Sequence, residues 1–111
     1  LEFALAVPRE TGGKGGGANP EQLFALGYAA CFHSALKLVG GRLNKDVAGS
    51  TVTAEVTLGR EDGGYGLAVT LTASIPELTV AEVREVIEEA HEICPYSKAT
   101  RGNIPVTLAV G

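Results

Sequence analysis

Residues 19–39 read NPEQLFALGYAACFHSALKLV, and the reading of this stretch decides the fold. Asn19 is a good N-cap, Pro20 suits the first helical position, and Gln22 stands where a capping-box partner belongs. Gly40-Gly41 supplies an expected stop. Between those signals run about 20 residues, roughly 30 Å of helix at 1.5 Å per residue. Leu23, Phe24, Leu26, Tyr28, Phe32, Leu36, Leu38 and Val39 surround the axis instead of forming one stripe. A helix apolar on all sides is a membrane span or the centre of a core. Glu21, Gln22, His33, Ser34 and Lys37 interrupt it too often for a span of ~18 apolar residues, so the core reading wins. Covering such a helix takes more surface than a short chain provides, and a second copy is expected to supply part of it.

Working outward, the chain has 111 residues, 45% hydrophobic and 20% charged, which fits one domain (residues 1–111) with a real core. A net charge of −4 argues against nucleic acid as a partner. No secretory or lipidation signal is visible, which points to the cytoplasm. There is no methionine, so further sequence upstream of Leu1 is expected.

Residues 1–7 read as a strand ended by Pro8, followed by the glycine-rich loop TGGKGGG. That loop lacks the Lys-Ser/Thr ending of a phosphate-binding P-loop. Residues 51–58 alternate, with Val52, Ala54, Val56 and Leu58 on one face, and residues 65–75 return with Leu67, Val69, Leu71, Ala73 and Ile75 inward. Glu61-Asp62-Gly63-Gly64 is the turn between them. Thr79 and Glu82 form a capping box that opens a helix running to about Cys94. Its apolar stripe is Val83, Val86, Ile87, Ala90, Ile93 and Cys94. Pro95 stops it, residues 96–103 read as a compact polar loop, and residues 104–110 as a last strand. The order β-α-ββ-α-β indicates an α+β fold.

Cys31 lies mid-helix, where a thiol is either a small apolar filler or a reactive group. Cys94 lies at a helix C-terminus, where the dipole disfavours a thiolate. It would be a poor nucleophile, but a good partner to attack an oxidised sulfur on Cys31. Phe24, Gly27 and Tyr28 precede Cys31 on its side of the helix, a face that suits an apolar substrate or ordinary packing. His33 lies about 200° around from Cys31, which makes a local dyad poor. His91 and Cys94, at i and i+3, permit a hydrogen bond or metal ligation, but too few ligands stand by for zinc, and no metal is expected. Glu21 suits the first turn through the dipole alone. Arg101 and Asn103 read as structural.

GGANPEQLFALGYAACFHSALK and CPYSKATRGNIPV, with a cysteine in each, resemble the organic hydroperoxide resistance proteins of the osmotically inducible protein C superfamily. The resemblance implies a thiol peroxidase without metal, haem or other cofactor. Its fold would be an intertwined homodimer, with antiparallel strands wrapped around a long buried central helix beside a second, amphipathic one. It implies Cys31 as the peroxidatic cysteine, Cys94 as the resolving one and Glu21 as the assisting glutamate; the position of Phe24 and Tyr28 on the Cys31 side of the helix is expected to favour an organic substrate tail. The family also uses an arginine from a hairpin upstream, and nothing in this chain matches it. The implied reductant is a dithiol, lipoyl groups on carrier proteins. The rival readings are the sibling peroxidase branch and a non-enzymatic binding module with two inert thiols.

Overall fold

The computed structural model describes every residue of the chain except 1, 3, 8, 10, 11 and 14. Its elements are α1 (Pro20–Arg42), β1 (Thr51–Glu61), β2 (Gly64–Ser74), α2 (Val80–Ile93), α3 (Pro95–Thr100) and β3 (Val106–Val110). The capping box of α1 forms as its residues predict: Gln22 N–H donates to Asn19 Oδ1 at 2.9 Å, and Asn19 N–H to Gln22 Oε1 at 3.2 Å.

The expected stop at Gly40-Gly41 is corrected, because α1 runs through both glycines to Arg42. The turn comes at Asn44, the residue with φ of 57°. Asn44 N–H then donates to the Gly41 carbonyl at 3.3 Å and Lys45 N–H to the Gly40 carbonyl at 2.9 Å, a Schellman pattern. Gly40 serves packing instead, since a Cβ there would lie 2.7 Å from Val47 Cγ1.

β1 and β2 form the predicted hairpin, with Val56 opposite Val69, closed at Asp62-Gly63 where Gly63 has φ of 78°. β2 is the central strand of a three-stranded sheet. The expectation of antiparallel strands fails at β3, which runs parallel to β2 with Val69 opposite Val106. The cause is the connection: α2 and α3 form a crossover that returns the chain to the same end of the sheet. The strand expected over residues 1–7 falls partly on positions outside the described residues, as does Pro8. Its described part meets the segment before α1, where Ala6 N–H donates to the Ala18 carbonyl at 2.9 Å.

α1 and α2 pack on the sheet and on each other. Val69, Leu71, Ala73 and Ile75 of the β2 region meet Val83, Val86, Ile87 and Ala90 of α2 and Phe32, Leu36 and Val39 of α1 in one core. On β1, Val52, Ala54 and Val56 are half-buried, whereas Leu58, expected inward, is 40% exposed beyond the end of the helix cover. Lys45, in the connection after α1, bridges to Glu82 at 3.0 Å and so ties the start of α2 to the end of α1. The Thr79 amide, and then Lys45, hold the Glu82 carboxyl down at about 2.

Within one chain α1 is covered on one side only. Its buried residues are Tyr28, Phe32, Ala35, Leu36, Val39 and Gly40, while Leu26 is 62% and Leu38 52% exposed. By length and composition α1 could also cross a membrane, but its buried side packs against the sheet and α2 as a core helix does.

Candidate active site

The two cysteines meet. Cys94 Sγ donates to Cys31 Sγ across 3.3 Å, and both are free thiols. Cys31 is half-buried on α1, and Cys94 is fully buried against it. Cys94 is both the C-cap of α2 and the N-cap of α3, with the extended backbone (φ −66°, ψ 123°) that a following proline favours.

The loop expected over residues 96–103 is therefore corrected, since a helical turn begins at Pro95. Proline can open a helix as well as end one, and here it does both in succession. The consequence is chemical, because the Tyr96 N–H at the start of α3 is hydrogen-bonded to the Cys31 thiol. Burial pushes that thiol up from its ordinary range, the Tyr96 amide pulls it partly back, and the hydrogen bond with Cys94 raises it again.

Cys31 opens on an apolar groove of about 330 Å³ lined by Ser34, Ala35, Leu38, Ile93 and Pro95. On the N-terminal side of Cys31, Phe24 and Tyr96 stack with ring centroids 6.2 Å apart. Gly27 makes room for this: a Cβ there would stand 2.9 Å from Tyr96 Oη. Phe24 is half-buried, so part of its ring stays reachable. Tyr28 does not fit the substrate-facing role expected of it. It has no exposed surface, and its hydroxyl is bonded to Ser97 Oγ at 2.8 Å and Thr100 Oγ1 at 3.1 Å.

Glu21 is not brought to the thiols within the chain. It is half-buried in the first turn of α1, lining a separate apolar pocket of about 480 Å³ with Leu5, Val7, Pro20 and Leu58. That pocket shares no residue with the groove at Cys31. His33 faces elsewhere, bonded to Ser50 Oγ at 2.9 Å, and burial and then Lys37 lower its pKa. His91 shares a helix side with Cys94 as its spacing predicts, yet its Nδ1 is bonded to Ser97 Oγ at 2.7 Å. Burial and then Arg101 lower the His91 pKa, while Arg101 Nη1 donates to the His91 carbonyl at 3.0 Å. Ser97 and Thr100, like Tyr96, are residues that sequence reasoning missed. Their spacing from Cys94 signals nothing until α3 is known to be helical.

A family model described as OsmC-like protein matches residues 13–109. The chain is 46% identical to the organic hydroperoxide resistance protein of Xanthomonas axonopodis pv. citri, covering 99% of this chain and 79% of that protein. It is also 46% identical to organic hydroperoxide resistance protein OhrA of Bacillus subtilis, covering 99% and 80%. Among solved structures, an organic hydroperoxide resistance protein from Elizabethkingia anophelis superposes with a TM-score of 0.94 at 51% identity, covering 100% of this chain and 81% of that one. With the cysteine-bearing motifs of α1 and α3 inside the matched span, the chain belongs to the OsmC/Ohr family.

Proposed function

We propose that the protein is a cysteine-based thiol peroxidase that reduces organic hydroperoxides to alcohols in oxidative-stress defence. The observation that carries this reading is the pair of free thiols 3.3 Å apart, one on an apolar groove and the other buried behind it. The names of the relatives support the peroxide substrate. The Cys31 thiolate attacks the terminal oxygen of the hydroperoxide. The O–O bond breaks, the alkoxide leaves and takes up a proton as the alcohol, and Cys31 becomes a sulfenic acid. Cys94 attacks that sulfur, forming the Cys31–Cys94 disulfide and releasing water. An external dithiol, a lipoyl group on a carrier protein, exchanges with the disulfide and restores both thiols while itself becoming oxidised. The protein works as a cytoplasmic homodimer without a resident cofactor.

Treating the reduced protein with one equivalent of cumene hydroperoxide tests this. Both thiols should disappear together with formation of one intramolecular disulfide. Thiols that stay titratable would make this an inert binding module. Phe24, Ala35, Leu38 and Ile93 favour an organic tail, and each methylene accommodated is worth ~1–3 kcal/mol. Catalytic efficiency should therefore exceed that for hydrogen peroxide by orders of magnitude, and equal efficiencies would remove the apolar-groove argument.

The raised Cys31 pKa sets the pH dependence. Only the thiolate attacks, and its fraction grows about tenfold per pH unit below the pKa. The rate of Cys31 oxidation should climb through neutral pH and still be rising at pH 9.0, the ordinary thiol value. A stopped-flow profile that is flat between pH 6 and 9 would show a preformed thiolate and contradict this direction.

A further inference from the structure

Beneath the thiols lies a buried hydrogen-bond chain that the chemistry above does not use. It joins His91 Nδ1 to Ser97 Oγ (2.7 Å), Ser97 Oγ to Tyr28 Oη (2.8 Å) and Tyr28 Oη to Thr100 Oγ1 (3.1 Å). Thr100 Oγ1 in turn donates to the Ser97 carbonyl at 3.1 Å.

A hydroxyl has one proton, and that fact orients the whole chain. Thr100 has given its proton to the Ser97 carbonyl, so it accepts from Tyr28. Tyr28 has then given its own, so it accepts from Ser97, and Ser97 accepts from His91. His91 must carry a proton on Nδ1. The His91 ring itself is half-buried. The relay thus runs one way, from α2 through α3 to α1 and back into the α3 backbone. Tyr28 and Ser97 have no exposed surface and Thr100 is buried, so a broken link leaves a polar group unmet away from water.

We infer that His91 is a positioning residue of this site: through Ser97, Tyr28 and Thr100 it pins α3 onto α1, which holds Cys94 and the Tyr96 N–H against Cys31. The placement supports it, because α3 is a single turn and a half beginning at Cys94, with Cys94 accepting from Lys98 N–H at 3.0 Å. Beyond the cysteine pair, the side-chain hydrogen bonds from this turn to α1 are those made by Ser97 and Thr100 to Tyr28. Because protonated imidazole also donates from Nδ1, the pin survives acidification, unlike a device that relies on neutral histidine.

The inference rests on the proposed roles of the two thiols, but its test needs no peroxide. The reduced protein is equilibrated with a glutathione redox buffer. In that exchange Cys31 and Cys94 lose two protons and two electrons to oxidised glutathione, which becomes two thiols. The equilibrium constant reports how well the fold holds the pair together. Ser97→Ala, Tyr28→Phe and His91→Leu should each lower it about tenfold or more, the scale set by an unmet buried partner. His91→Asn places an amide N–H where Nδ1 stands, and should restore it to within about twofold of wild type.

Thermal unfolding of each variant is read alongside. If Tyr28→Phe or Ser97→Ala fails to fold, the half-exposed His91 pair decides. His91→Leu within about twofold of wild type, or His91→Asn as damaging as His91→Leu, overturns the inference. A wild-type protein that forms the disulfide with glutathione yet ignores hydroperoxides would sink the peroxidase reading and leave this one standing.

Discussion

Replacing Cys31 with serine is expected to abolish peroxide consumption, whereas replacing Cys94 is expected to leave one turnover. The thiols occupy unequal places: Cys31 borders the groove and receives the Tyr96 N–H, while Cys94 is sealed behind it with no exposed surface. A hydroperoxide therefore reaches Cys31 first. In Cys94→Ser the sulfenic acid has no thiol 3.3 Å away to condense with. It should accumulate, react with dimedone, and advance to sulfinic acid under excess peroxide. Mass spectrometry after one equivalent of hydroperoxide distinguishes the cases. A mass gain on Cys31→Ser with none on Cys94→Ser would reverse the assignment.

Mixed dimers of Cys31→Ser and Glu21→Ala chains should recover up to half of normal dimer activity. Within one chain Glu21 and Cys31 lie ten residues apart, roughly 15 Å along the helix axis. Glu21 lines a different pocket, whose apolar rim includes Leu5, Val7 and Leu58. If Glu21 assists the chemistry, it acts at the partner's thiol. The exposed Leu26 and Leu38 supply apolar surface for such a pairing, which should bury more than ~2,000 Å² as obligate dimers do. The mixed dimer would then hold one intact site and one doubly defective site. Activity no better than that of the Glu21→Ala protein would mean that Glu21 serves its own chain or no site at all.

Local chemistry was legible from the residues. Asn19 with Gln22 and Thr79 with Glu82 cap their helices as their spacing predicts, because both boxes close within four residues. The hairpin was legible for the same reason. What depended on distant partners was not. Gly40-Gly41 looks like a stop until Val47 is known to sit on Gly40. Pro95 looks like an ending because its role as the next beginning depends on α3 docking. The parallel pairing of β3 follows from the crossover path, which alternation within residues 104–110 does not encode.

The site divides in the same way. From residues alone, Cys31 reads as a filler or a nucleophile and the position of Cys94 suits it to attack an oxidised Cys31, while the assignment of peroxidatic and resolving roles comes from the resemblance. Tyr28 reads as a pocket wall because its aromatic body is visible in the sequence, while the hydroxyl's partners, Ser97 and Thr100, lie 69 and 72 positions away.

The meeting of Cys31 with Cys94 also ties a topological knot in the energetics of the chain. The two residues are 63 positions apart, and the span between them contains β1, β2 and α2. Joining them removes from the unfolded ensemble every conformation in which that segment's ends drift apart. In the chain-entropy model a closed loop of this size is worth ~4 kcal/mol. Oxidation at the site would then stabilise the whole fold, and native packing would favour the disulfide by the same amount. An oxidised molecule waiting for its reductant would be the sturdier form, and the reduced, ready molecule the one nearer to unfolding.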